Sequence, residues 1–239
     1  MGKIYVVSIS SGNILDMSNR AVKAIRDSDV VVGYTGYVSL IEELLKDKEV
    51  YSNSMKGEIE RCRYAIKRAR EGKKVSIISS GDAGLYGMAG PIFEMAEDLE
   101  VEYIPGITAA FLAASQLGAP VMHDMCTISL SDLLTPFEVI ERRIKSAAEA
   151  DFVITLYNPK SLGRINHLQY AINIIRLYRR DDTPVGIVKN ALRKNQKVII
   201  TTIKEIDYDL VDMSTVLIIG NSQTYIKDGY MITPRGYKY

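Results

Sequence analysis

Residues 75–87 read VSIISSGDAGLYG, and this stretch decides the fold. Its first four residues are small or β-branched and uncharged, as a buried strand requires. Ser79-Ser80-Gly81-Asp82-Ala83-Gly84 then turns the chain through small residues, and a helix-like run follows. A strand that passes into a helix through a glycine turn is the unit of an open α/β sheet. Ligands of such sheets bind beyond the carboxyl ends of the strands. A glycine there lets backbone amides approach a ligand closely. The plainer reading is a connection in which Asp82 caps the next helix.

Working outward, short apolar runs alternate with amphipathic ones. Strands are predicted over 4–7, 30–32, 75–78 and 101–104. Helices are predicted over 19–26 with Ser18 as N-cap, over 38–45, over 58–71 ending at Gly72, over 92–97 and over 108–117. This alternation predicts a parallel sheet with covering helices. Gly118-Ala119-Pro120 breaks the pattern, so a domain boundary is placed there, giving domains 1–117 and 118–239. The second half opens with a strand over 126–130. Thr135-Pro136-Phe137-Glu138 reads as a capping box, with Thr135 the N-cap and Pro136 the first helical residue of a helix to about Ala148. A strand over 152–156 and a helix over 165–178 follow, then strands over 185–188, 197–202 and 216–219. No long helix separates the last two, so this sheet is expected to be mixed with antiparallel edges. A hairpin at Asp228-Gly229 follows them.

Hydrophobic residues make up 47% and charged residues 25%, which suits a soluble globular protein with a real core. The 30 basic and 29 acidic residues give a net charge of +1, and so balanced a chain offers no general field for nucleic acid. Cys62 and Cys126 lack metal-ligand spacing and read as buried thiols of an intracellular protein. No apolar run approaches the ~18 residues of a membrane span, and no signal peptide precedes the first strand. A cytoplasmic protein with no membrane partner and no protein-bound metal is expected.

Further motifs lie at other predicted strand ends. Ser8-Ile9-Ser10-Ser11-Gly12-Asn13 follows the first strand, without the pattern of a Walker loop or of GxGxxG. In Pro105-Gly106-Ile107-Thr108-Ala109-Ala110 a turn leads to a helix whose first residues are small enough for a flat ring to come close. Thr108 serves equally as a helix cap. In Leu156-Tyr157-Asn158-Pro159 the proline ends the strand, and an aromatic and an amide stand ready for adenine and ribose; the plainer reading is strand-end packing of Tyr157. Asn190-Ala191 follows another strand. Of the two histidines, His123 lies in a loop beside Asp124. His167 sits on an amphipathic helix and reads as a surface or packing residue. Arg235, in Pro234-Arg235-Gly236-Tyr237, can pair with a carboxylate or belong to a solvated tail.

Together these motifs, in this order and spacing, resemble the tetrapyrrole methylases, which transfer methyl from S-adenosylmethionine (SAM). The run GAPVMHD from Gly118 and the run SLSDLLTP from Ser129 are most similar to the subgroup that methylates C17 of precorrin-3 in cobalamin biosynthesis. The resemblance spans the whole chain. It implies two α/β domains, the class III SAM methyltransferase fold, with the active site in the cleft between them, and a homodimer. It implies SAM contacts at Gly81, Asp82, Ala83, Leu85, Thr108, Ala109, Tyr157, Asn158, Asn190 and Ala191. Substrate contacts fall on Ser11, Gly12 and Arg235, the last toward the carboxylates of a tetrapyrrole. Acid–base work falls on His123, Ser131 and Asp132. Where the family carries a GxGPG turn after the first strand, this chain keeps only Gly12. The substrate is expected to be cobalt-precorrin-3, its metal carried by the macrocycle, with S-adenosylhomocysteine as the second product. Rival readings are a diphthine synthase-like protein methyltransferase, an RNA methylase of the same architecture, and a SAM- or nucleotide-binding module without turnover.

Overall fold

A computed structural model of the chain describes residues 2–161 and 163–238. The chain divides into two units, Met1–Ala109 and Ala110–Tyr239. The division falls at the start of a helix, Ala109–Leu117, rather than after it.

In the first unit the strands are β1 (Lys3–Ser8), β2 (Val30–Tyr34), β3 (Glu49–Asn53), β4 (Lys74–Ser79) and β5 (Glu100–Ile104). They form one parallel sheet in the order β3-β2-β4-β1-β5. Helices α1 (Asn19–Asp27), α2 (Thr35–Val38), α3 (Glu58–Arg70) and α4 (Ala89–Met95) connect them, and α5 (Ala109–Leu117) follows β5. The central strands bury both faces, which is why they read as unbroken apolar runs. Ile4, Val6, Val30, Val32 and Ile77 pack with Cys62, Ala65 and Ile66 of α3. Their alternates Val7, Val31 and Ile78 pack with Ala21, Ala24 and Ile25 of α1. The Ser18 hydroxyl accepts from Ala21 N at 3.1 Å, so the expected cap forms. The helix expected over 38–45 is instead α2 followed by a 3₁₀ turn over Ser39–Leu44.

The second unit contains β6 (Gly118–Ala119), β7 (Met125–Ser129), α6 (Phe137–Glu149), β8 (Val153–Tyr157) and α7 (His167–Ile175). Strands β9 (Pro184–Lys189), β10 (Lys197–Thr202), β11 (Thr215–Ile219), β12 (Tyr225–Lys227) and β13 (Tyr230–Ile232) complete it. The main sheet runs β10-β9-β11-β8-β7. It is mixed, as expected: β7 and β8 are parallel, and β11 lies antiparallel to both β8 and β9. Asp228 and Gly229 both take positive φ in the β12–β13 turn, the geometry of a tight hairpin.

Three sequence expectations are corrected. Pro136 sits outside α6 with ψ 141°, so Thr135 does not cap the helix, and the cap position makes no side-chain hydrogen bond. The helix starts one residue later than a capping box would require. Gly118-Ala119 is no bare break, because as β6 it pairs in parallel with Met231 and Ile232 of β13. The helix expected over 165–178 is shorter, running only over His167–Ile175. Among the described residues no helix is long and apolar enough to cross a membrane.

Candidate active site

Strands β4, β1 and β5 are parallel neighbours, so their carboxyl ends share one edge of the first sheet. Three turns meet there. Ser10 and Gly81 exchange backbone hydrogen bonds at 3.1 and 2.8 Å. Ser8 Oγ accepts from Ala83 N at 2.9 Å, and Ser10 Oγ accepts from Ile107 N at 3.0 Å. Asp82 joins the turns through both carboxylate oxygens. Oδ2 accepts from Gly106 N at 2.9 Å; Oδ1 accepts from Gly84 N at 2.8 Å and from the Tyr103 hydroxyl. Burial, with this Asp82 contact, pushes the Tyr103 hydroxyl pKa up. Asp82 is therefore the knot of the edge and not the cap of α4, which begins only at Ala89. Gly81 has φ +65°, and a Cβ there would lie 3.2 Å from Ala109 N. The turn thus brings backbone against backbone, which a side chain would prevent.

The second unit repeats the arrangement with different means. Strands β8 and β9 both run antiparallel to β11, and β7 runs parallel to β8, so all three end at one edge. Asn158 follows β8 with φ 51° and Asn190 follows β9 with φ 50°. Asparagine tolerates this left-handed conformation better than most residues do. Asn158 Nδ2 donates to Ser129 Oγ at 2.9 Å, and the same oxygen accepts from Ser131 N at 3.2 Å. The Tyr157 hydroxyl accepts from Ala110 N at 2.7 Å. Asn190 N donates to Ser214 O at 3.0 Å, and Lys189 pairs with Asp212 at 2.6 Å. Burial pushes the Asp212 carboxyl up, but Lys189, Ser214 and Thr215 outweigh that and hold it at about 2.

The expected acid–base residues are not gathered as the sequence reading had them. His123 is exposed; its Nδ1 accepts from the backbone N–H of Asp124 at 2.9 Å and lies 3.8 Å from the Asp124 carboxylate. Asp132 pairs with the other histidine: His167 Nε2 lies 2.9 Å from Asp132 Oδ2. Hydrogen bonding to His167 holds the Asp132 carboxyl below its ordinary pKa. Ser131, half-buried, stands next to this pair in the chain. His167, read from the sequence as a surface or packing residue, is thus hydrogen-bonded to Asp132.

Of the residues expected to face a substrate, Ser11 and Gly12 are buried, with the Ser11 hydroxyl bonded to Asp16. Arg235 is exposed. Gly81, Asp82, Ala83, Leu85, Thr108 and Ala109 come together at the first edge, and Tyr157, Asn158, Asn190 and Ala191 lie at the strand ends of the second. Both cysteine thiols are pushed up to about 11 by burial, so neither is a ready nucleophile.

Residues 3–207 match the family of tetrapyrrole (corrin/porphyrin) methylases. A probable cobalt-factor III C(17)-methyltransferase of Salmonella typhimurium is 50% identical over 238 residues, 98% of this chain and 99% of that one. A cobalt-factor III methyltransferase of Priestia megaterium is 47% identical over 99% of this chain, which spans 45% of that longer protein. A precorrin-3B C(17)-methyltransferase of a Sinorhizobium species is 35% identical over 99% of this chain and 97% of that one. The crystal structure of the methyltransferase CobJ superposes with a TM-score of 0.93 at 30% identity, covering 98% of this chain and all of that one. With more than half its length matched by the family and with full-length relatives at this identity, the chain belongs to the tetrapyrrole methylases.

Proposed function

We propose that this protein is a SAM-dependent C-methyltransferase that methylates C17 of a cobalt-containing factor III or precorrin-3 macrocycle, with contraction of the ring, in cobalamin biosynthesis. The observation that carries the reading is the 50% identity, end to end, with a relative named for that reaction. The 35% identity to a relative named for precorrin-3B is lower, and this favours the cobalt-bearing substrate. Cobalt enters as part of the substrate.

The donor set suits SAM. The first edge offers backbone N–H and C=O groups among small residues, Gly81, Ala83, Gly106 and Ala109, with the close approach at Gly81 already built. The strand ends of the second unit add an aromatic ring at Tyr157 and amides at Asn158 and Asn190. Bound SAM supplies a methyl group on a sulfonium, ready for direct displacement by an electron-rich carbon. The protein's share is alignment, and alignment demands turns that do not move. Asp82 holds three donors of those turns at once, so its carboxylate serves rigidity. Asp82 and its neighbours Gly81, Ala83 and Leu85, with Thr108 and Ala109, are assigned to SAM. So are Tyr157, Asn158, Asn190 and Ala191. Ser11, Gly12 and Arg235 are assigned to the substrate, Arg235 toward its carboxylates. The buried setting of Ser11 and Gly12 gives them a part in shaping the loop that faces the ring. The protein is expected to work as a cytoplasmic homodimer.

Anaerobic incubation with SAM and cobalt-factor III, read by mass spectrometry and absorbance, tests the reading. One added methyl group with the spectrum of a contracted ring is expected. SAM binding without product from cobalt-factor III or from precorrin-3B would reject it and favour diphthine synthase-like chemistry or a module without turnover.

A further inference from the structure

Addition of a methyl cation equivalent to a neutral ring carbon leaves one positive charge, which is discharged when a proton departs. A base near the reacting edge is therefore required. A histidine suits this work when one ring nitrogen is held by a carboxylate and the other is left for the reactant. One histidine of the described residues meets this condition. His167 Nε2 is 2.9 Å from Asp132 Oδ2, and its Nδ1 has no hydrogen-bond partner among the described residues. The side chain is 20% exposed, so it is packed yet reachable. The Phe137 ring meets the imidazole edge-on, with centroids 4.7 Å apart, and fixes its tilt.

The pair also stands in the right place. Asp132 lies three residues beyond the end of β7, and His167 opens the helix that follows β8. Because β7 and β8 run parallel with Ser129 opposite Tyr157, both segments leave the sheet at the carboxyl ends of these strands, where α/β sheets bind their ligands. A continuous set of polar contacts starts at Asn158, passes to Ser129 and reaches Ser131, the neighbour of Asp132. Leu133, Leu134 and Ile165, next in the chain to these polar groups, are 61%, 93% and 64% exposed. Apolar surface beside an ion pair fits a macrocycle with flat apolar faces and carboxylate edges. Arg164 lies 3.9 Å from the second oxygen of Asp132, and its buried Nε has no hydrogen-bond partner among the described residues.

We propose that His167, held by Asp132, is the proton-accepting residue of the methyl transfer, its Nδ1 facing the macrocycle. Neutral His167 forms an Nδ1–H bond with the departing proton as the substrate's bond to hydrogen breaks, and the electron pair stays on the macrocycle. The imidazolium is stabilised through Nε2–H by the Asp132 carboxylate and returns its proton to solvent. Asp132 is a positioning residue in this scheme. Among the described residues Asp132 pairs with the imidazole, Arg164 lies beyond Asp132, and Tyr170 meets the Phe137 ring that packs on His167.

This inference rests on the proposed C17-methyltransferase reading, and two readouts keep the two apart. The first is the pH dependence of methyl transfer to cobalt-factor III by wild type, His167→Gln and Asp132→Asn. His167→Gln should lower kcat by about 10²- to 10⁴-fold with KM nearly unchanged, and should remove the acid limb of the pH profile. Asp132→Asn should keep that limb but displace it. The second readout is the ¹⁵N imidazole resonance of His167 on addition of cobalt-factor III, which should shift or broaden whether or not turnover occurs. An inactive wild type whose His167 signal responds would reject the C17 reaction and leave His167 at the macrocycle. An unmoved signal, or a His167→Gln enzyme with wild-type kcat and pH profile, would overturn the inference.

Discussion

The two strand-end edges are built by opposite means. In the first unit the turns are wired backbone to backbone and through one shared carboxylate, Asp82. In the second they depend on single asparagines in the left-handed region, each supported by one or two partners. The first design yields a rigid cradle of small residues. The second presents side chains, and among them is the Asp132–His167 pair. The difference follows from the sheets. An all-parallel sheet brings β4, β1 and β5 to the edge as adjacent strands, so their turns touch directly. In the mixed sheet antiparallel β11 separates β8 from β9, so the turns after them cannot interlock.

Substitutions at four positions break or sharpen this contrast. Gly81→Val should have the largest effect, because a β-branched residue at φ +65° is strained and its Cβ crowds Ala109 N. SAM affinity by calorimetry should fall on the order of 100-fold or more, with only modest loss of stability. An unchanged affinity would remove this turn from the cofactor site. Asp82→Ala should come next. It strands three donors of the first edge, and urea unfolding should show a loss of about 3 kcal/mol.

The second edge should give way more mildly. Asn158→Ala loses the Ser129 contact and pays for left-handed backbone, about 2 kcal/mol together. Asn158→Gly should recover roughly half of that, since glycine adopts the conformation freely. If both variants lose the same amount, the backbone conformation is not what asparagine supplies. The smallest effect belongs to Asp212, which supports the Asn190 turn. Its folded pKa of about 2 lies below the ordinary 3.8, so its contribution is complete above about pH 4 and is lost as the pH falls through about 2. Asp212→Asn should flatten the acid side of the stability–pH curve in that window and leave it unchanged near neutrality.

The first edge was far more legible in the sequence than the second. Its strands bury both faces, so each appears as an apolar run, and its turns announce themselves through glycine. The strand that escaped notice, β3, is an edge strand whose EVYSN sequence carries Glu49, Ser52 and Asn53. β6 escaped because two residues carry no periodicity, and only the register with β13 makes it a strand. The capping box at Thr135 misled because Pro136 fits either just inside or just outside a helix start. The Asp132–His167 pair was hidden for a deeper reason. Thirty-five positions separate the two residues, and only the parallel register of β7 and β8 brings them together. The strand, helix and strand predicted from 126 to 156 form a βαβ pattern that favours parallel pairing, and this was the available sign that the loops after both strands leave at one end. In the sequence His123-Asp124 is the more conspicuous pair, a histidine directly beside a carboxylate.

The most direct test of the central claim is incubation with ¹³C-methyl-labelled SAM and cobalt-factor III, followed by ¹³C NMR of the isolated product. A single enriched methyl signal at C17 of a contracted ring is the expected result. Enrichment at another ring position, or label found only in unreacted SAM after the protein has been shown to bind both ligands, would contradict it.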